Sequence, residues 1–297
     1  MLIYEFAALA AAFTWALTGI ISADPSKQFG AVAFNRARMM VVFVMLSFWM
    51  LFAGGWQSIN NATLWPLIIS GFIGIFLGDT ALFLTMNRLG PRRTAILFAM
   101  NAPMSVVLGF LVLGEALTSL TLVGVAVTIA GVVLAIIYGK SKAQLHKWES
   151  VTGPLWIGVL LGLAAALAQA VGALIARPIM ETGVDPVTAS AVRVGVAALG
   201  LHLLMQLPHQ SLKQRNPGSS KLWAQVALSG FLGMGVGMTL LLYGLSGGKV
   251  GIVTTLSATT PALLLPILWW RTREIPALGA SVGALFVIVG SAMIFNG

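Results

Sequence analysis

Apolar residues run along this chain in ten long stretches, separated by short clusters of polar, charged, glycine and proline residues. The stretches cover about 4–23, 33–53, 64–86, 93–113, 118–138, 154–176, 186–207, 222–246, 250–270 and 275–295. Each is close to the roughly 20 residues an α-helix needs to cross a bilayer. Helices are the default, because a segment in lipid must satisfy its own backbone N–H and C=O groups. The breaks carry turn chemistry: Asp24-Pro25 ends the first stretch, Gly90-Pro91 the third, and Asp185-Pro186 opens the seventh. The pattern predicts an all-α integral membrane protein with ten transmembrane helices.

Composition narrows the classes. Of 297 residues, 58% are hydrophobic and 8% charged, with a mean hydropathy of +0.95. Soluble domains carry about 25% charged residues, so this is not one. Disordered chains are far less apolar. The loops leave no room for a soluble domain of roughly 50 residues. The absence of cysteine removes disulfides, Cys-ligated zinc, iron–sulfur clusters and thiol catalysis. His146, His202 and His209 are scattered, and no phosphate-binding loop or Ser/His/Asp set can be drawn. The chain is therefore read as a non-enzyme with no catalytic residues, no metal site and no cofactor. Met1–Glu5 lacks the basic opening of a signal peptide, so the first stretch is expected to remain as a mature span.

The chain repeats itself. The long polar stretch Lys140–Gly153 divides two sets of five spans, predicting repeats at 1–139 and 154–297 joined by a basic loop at 140–153. Shifted by about 159 positions, Ser70-Gly71-Phe72 falls on Ser229-Gly230-Phe231. Gly74, Gly78, Thr80, Leu82, Leu97, Ala99, Glu115, Val123, Gly124, Ile129 and Gly131 also fall on identical residues, more agreement than shared hydrophobicity supplies. At slightly shorter offsets Arg38 falls on Arg193 and Trp15 on Gln169. Five spans is an odd number, so the second copy enters the membrane from the opposite face. Two inverted five-helix repeats are a transporter architecture, with the substrate site near the midplane between them. The cavity is expected between spans one, three, four, six, eight and nine.

Net charge is +9, from 17 Lys+Arg and 8 Asp+Glu. Most of the basic residues sit in gaps between spans rather than on one soluble face, which argues against nucleic acid as a partner, while Arg36, Arg38 and Arg193 lie inside spans. Twelve of them, including Arg88, Arg92, Arg93, Lys213, Arg215, Arg271 and Arg273, fall in the loops that join spans 1–2, 3–4, 5–6, 7–8 and 9–10. Only Arg177 and Lys249 fall on the other side. The positive-inside rule then puts the first set of loops in the cytoplasm and both termini outside, in a bacterial-type inner membrane.

Several motifs carry a resemblance. They are the Trp15-centred opening Ala11-Ala-Phe-Thr-Trp15-Ala-Leu-Thr-Gly19, the Phe34-Asn-Arg-Ala-Arg38 start of span two, and the Gly78-Asp79 pair. Asn101-Ala-Pro103 follows, then Leu113-Gly114-Glu115, Gly124 and Gly131, echoed by Pro261, Glu274, Gly283 and Gly290. Over nearly its whole length, as two copies, the chain resembles the EamA-type group of the drug/metabolite transporter superfamily. The resemblance implies secondary transport, with export favoured. Pro103 lies one residue nearer its glutamate than Pro261 does. The charge count also places the termini opposite to many such relatives.

Ionisable residues inside a span mark a cavity, a partner or a proton path. Asp79 is read either as a coupling-ion, proton or substrate-amine site, or as the structural partner of Arg38. Arg38 and Arg193, at equivalent places, are read as architectural or as contacts for an anionic substrate group. Glu115 and Glu274 are expected to stabilise the N-terminus of the helix that follows each of them. Asn101, Thr259 and Thr260, beside prolines that free backbone carbonyls, either satisfy that backbone or line the substrate path. Trp15, Phe98 and Tyr243 could form an aromatic wall and Gln169 a hydrogen bond, or each could simply pack. His202, read as deep in span seven, is hydrogen-bonded filler before it is a proton relay.

The expected partners are the lipid bilayer and a small organic metabolite such as an amino acid or amine. The chain is expected to act as a monomer or homodimer, since ten spans suffice for a monomeric transporter. Two other readings stay open: translocation of a lipid-linked metabolite or a membrane-assembly role, and a channel.

Overall fold

A computed structural model describes residues 2–138, 151–208, 212–273 and 277–296. Its helices, in chain order, are α1 Leu2–Phe29, α2 Ala31–Phe52, α3 Asn61–Leu89, α4 Pro91–Leu113 and α5 Ser119–Tyr138. The second set is α6 Leu155–Glu181, α7 Pro186–Leu204, α8 Ser220–Leu245, α9 Val250–Arg271 and α10 Leu278–Asn296. No strand occurs among the described residues. Large apolar side chains such as Phe48, Phe52, Leu111, Ile137 and Trp270 cover the outside, as lipid-facing surfaces require. The architecture is the all-helical, two-repeat membrane fold that the pattern predicts.

The packing shows the pseudo-symmetry. α1 of the first repeat crosses α8 and α9 of the second, while α6 of the second crosses α3 and α4 of the first. The self-related pairs α2–α7 and α5–α10 complete the set. The α5–α10 seam is the tightest contact. Gly124 and Gly131 face Gly290 and Gly283 there, so backbone approaches backbone, as small residues allow in lipid.

The structure departs from the expected spans in three places. α1 does not stop at Asp24-Pro25 but continues to Phe29. Its last turn is held by a two-way bond with α3: Ser26 Oγ donates to Asn87 Oδ1, and Asn87 Nδ2 donates to the Ser26 carbonyl at 2.9 Å. Gly30, at φ 89°, then makes the reversal. α7 ends at Leu204, so His202 lies in its last turn and is exposed rather than deep. Finally, α3 and α8 each contain a π-helical segment, Phe72–Leu77 and Phe231–Gly237, at repeat-equivalent places.

α4 and α9 are each two half-helices. Pro91–Phe98 gives way to Asn101–Leu113, and Val250–Ser257 to Thr260–Thr272. Pro103 and Pro261 sit in the first turn of the second half, where a missing N–H costs least. Asn101 Nδ2 donates to the Phe98 carbonyl at 2.7 Å, and Thr260 Oγ1 to the Ser257 carbonyl at 2.9 Å. These are the same bond in both repeats, each satisfying a carbonyl left over by the break.

Glu115 corrects an expectation. It does not serve α5, whose first turn is held by Thr118 Oγ1 accepting from Thr121 N at 3.1 Å. Instead Glu115 Oε1 accepts from Val250 N at 3.0 Å and Oε2 from Gly251 N at 3.4 Å. Gly114, left-handed at φ 67°, turns the chain back, and the nearest bare N–H groups are those of α9 in the other repeat. Glu274 lies outside the described residues.

Candidate functional site

A cavity of about 70 Å³ lies between the repeats, walled by α1, α3, α4, α6, α8 and α9, with α2 added through Arg38. Six of the site residues singled out from the sequence meet there: Trp15, Arg38, Asp79, Phe98, Gln169 and Thr260. Three others lie elsewhere. Asn101 and Thr259 bond the carbonyls of the helix breaks, the latter to Leu256 at 2.7 Å. Tyr243 packs on Tyr4, with ring centroids 5.4 Å apart.

One wall is aromatic. Trp15 meets Phe98 edge-on at 6.3 Å between centroids. Its Nε1–H donates to the Gly233 carbonyl at 2.9 Å, inside the π segment of α8. That bond fixes the indole plane and ties α1 to the opposite repeat. Thr18, Gly19 and Ser22 follow Trp15 on the same α1 face and also line the cavity. Their spacing of three, four and seven residues was a helical signal available in the sequence.

A second wall holds a buried ion pair. Arg38 Nη2 donates to Asp79 Oδ2, with both residues almost fully enclosed. The guanidinium also reaches Asn35 Oδ1 at 3.4 Å and lies over the Phe83 ring, 4.5 Å from its centroid. Cation–π contact of this kind strengthens when water is excluded. The structure therefore contains the pairing of Asp79 with Arg38 that was one of the two readings of Asp79.

Arg193 is fully buried too, but it does not line the cavity. Its Nη1 points at Met238 Sδ, 3.1 Å away. Residue 238 is the repeat equivalent of 79, so each arginine faces the same position of its own repeat. In the first copy that position is a carboxylate and in the second a thioether. The Arg193 side chain lies against Gly74 and Gly172, where α3 crosses α6.

The cavity is off-centre. Most of its wall comes from the C-terminal halves of α1 and α3, the first half of α4 and the second half of α9, while Gln169 stands at the middle of α6 and Gly233, Met234 and Met238 line it from just past the middle of α8. Those helix ends carry Lys27, Arg88, Arg92, Arg93 and Arg271. The repeat equivalents of its wall residues Leu82, Phe83, Met86, Pro91 and Thr94 are Leu241, Leu242, Leu245, Val250 and Val253. All five of the latter have no exposed surface and belong to one continuous apolar core. Repeat-equivalent parts of the fold thus line a cavity in one case and form a packed plug in the other.

No group of three or more His, Cys, Asp or Glu residues suited to a metal occurs among the described residues. A search of curated proteins finds no match. A solved crystal structure superimposes with a TM-score of 0.70 over 98% of this chain and 94% of that one, at 18% identity, which is a likeness of fold. The sequence model of the EamA-like transporter family matches residues 2–137 and again 156–296. Two matches, one per five-helix repeat, cover nearly the whole chain: the protein belongs to the EamA-like transporter family.

Proposed function

We propose that the protein is a secondary transporter that exports a small organic metabolite, such as an amino acid or amine, by alternating access of its two repeats. The observation that carries this reading is the asymmetry of the site. A mixed polar and aromatic cavity lies on one side of the midplane, and the repeat-equivalent residues form a closed plug on the other. Exchange of the two conformations between the repeats would move the opening across the membrane without a continuous pore. The reading takes the cavity side as cytoplasmic, in a bacterial-type inner membrane with both termini outside, and the count of basic residues supports it. In that orientation the structure is poised to load from the cytoplasm. Asp79 is the residue we assign to proton coupling, because a proton on its carboxylate would dissolve the pair with Arg38.

The test is counterflow in proteoliposomes with a panel of labelled amino acids and amines. Saturable uptake, accelerated by the same solute on the far side, is the expected result. Trp15→Ala should reduce it at least tenfold, since that change removes both the wall and the Gly233 bond. Flux that rises linearly with concentration and ignores the far side would contradict alternating access.

A further inference from the structure

The cavity contains polar groups that the protein leaves unanswered. Thr18 Oγ1 and Ser22 Oγ on α1 and Gln169 Nε2 on α6 are buried without a hydrogen-bond partner. The three residues are 6%, 0% and 3% exposed, and all three line the cavity. Buried polar groups in folded proteins are nearly always paired, so an unpaired set around one space marks what that space receives. Two are hydroxyls and one is an amide N–H, so all three can donate.

Charge selects further. The one carboxylate of the wall, Asp79, is engaged by Arg38. Behind Met238 stands Arg193, whose Nε and Nη2 have no partner. Two guanidinium groups and one carboxylate therefore share the centre of the protein, and the excess is positive. A cation entering this low-dielectric space meets that excess and finds no free anion. An anionic oxygen group finds three donors and a favourable field. The remaining wall, including Trp15, Phe98, Leu82 and Leu264, is apolar or aromatic and suits a hydrocarbon tail.

We infer that the substrate carries a carboxylate that docks on Thr18, Ser22 and Gln169, together with an apolar tail, and that organic cations are rejected. This rests on reading the cavity as the substrate site, and it chooses between the amino acids and amines named above. Arg193 acts here through the field it sets, not by touching the ligand.

A matched series isolates the carboxylate: leucine, 4-methylpentanoate, which lacks the amine, and isopentylamine, which lacks the carboxylate. Binding to the purified full-length protein is read as the rise in melting temperature with ligand concentration. Leucine or 4-methylpentanoate should bind at least tenfold more tightly than isopentylamine. Thr18→Val and Gln169→Leu, which keep size but delete donors, should each weaken carboxylate binding about fivefold or more. Their ligand-free melting temperatures, measured alongside, should stay within a few degrees of the parent. Equal or better binding of isopentylamine overturns the inference, as does carboxylate affinity unchanged in both variants. If no member of the series binds while counterflow runs on another solute, this inference fails and the transporter reading survives. If no solute shows counterflow, both fail.

Discussion

Asp79→Ala is expected to lower the stability of the protein by roughly 3–5 kcal/mol, the cost of breaking a buried ion pair by removing one partner. The loss arises from what remains. Arg38, 2% exposed, would keep the long bond to Asn35 and the faces of Phe83 and Phe34 to answer its charge. A second substitution should therefore rescue the first. Arg38→Met removes the stranded charge while filling much of the same space, and the double variant should regain most of the loss. Equilibrium unfolding in detergent micelles measures all three proteins. Equal, additive losses in the two single variants would show that the pair is not coupled. Asp79→Asn is the milder change, because its amide oxygen still accepts from Arg38. That variant should fold and lose only the pH dependence of transport. Unchanged pH dependence would remove Asp79 from the coupling role.

The second large effect belongs to the α5–α10 seam. In Gly131→Leu, the new Cβ would sit 2.6 Å from the Gly283 carbonyl oxygen and 2.7 Å from Phe286 Cβ. The first obstacle is backbone, which cannot rotate away, so the helices must separate along their length. Overpacking costs about 1–3 kcal/mol in well-packed interiors, and this site should fall at the upper end. Gly235→Ala is the control, since a Cβ there meets Phe231 at 3.5 Å, an ordinary contact. Melting temperatures in the same detergent compare the two. The seam does not wall the cavity, so Gly131→Leu protein that survives purification should bind substrate normally. A seam variant with an unaltered melting temperature would contradict the backbone-on-backbone packing.

The sequence made much of this architecture readable, for reasons that are physical. Lipid forces each span to declare itself as an unbroken apolar run, and a duplication leaves glycines and glutamates in register. Asp79 and Arg38 could be named together because few charges are tolerated at that depth. Other features depend on which helices meet. Glu115 looked like a cap for the next helix because it precedes it. Only the fold brings α9 closer and lets Thr118 take the nearer role. The π segments of α3 and α8 have no residue signature of their own. They lie where helices cross closely, at Gly74 with Gly172 and at Gly233 beside Thr18. Asn101 and Thr259 carried the right chemistry for a lining, but the broken helices leave carbonyls nearer to hand. Thr18 and Ser22 were missed although they share the α1 face of Trp15. Small hydroxyls in a span usually bond their own helix backbone, as Thr14 does to the Ala11 carbonyl at 2.8 Å.

The central claim is that the cavity and the plug are one structure in two states. The chain contains no cysteine, so single cysteines can be introduced without removing any. Leu82 lines the cavity, and its repeat equivalent Leu241 is wholly buried in the plug. Leu82→Cys and Leu241→Cys, each treated with a membrane-impermeant maleimide in vesicles of either orientation, report the two sides separately. Without substrate, the Leu82→Cys protein should react from the side of the basic loops and the Leu241→Cys protein should be protected. A saturating substrate gradient that drives turnover should protect the first and expose the second, from the opposite face. Simultaneous reaction of both positions in one condition, or labelling of Leu241→Cys that never changes with substrate, would contradict alternating access by exchange of the repeats.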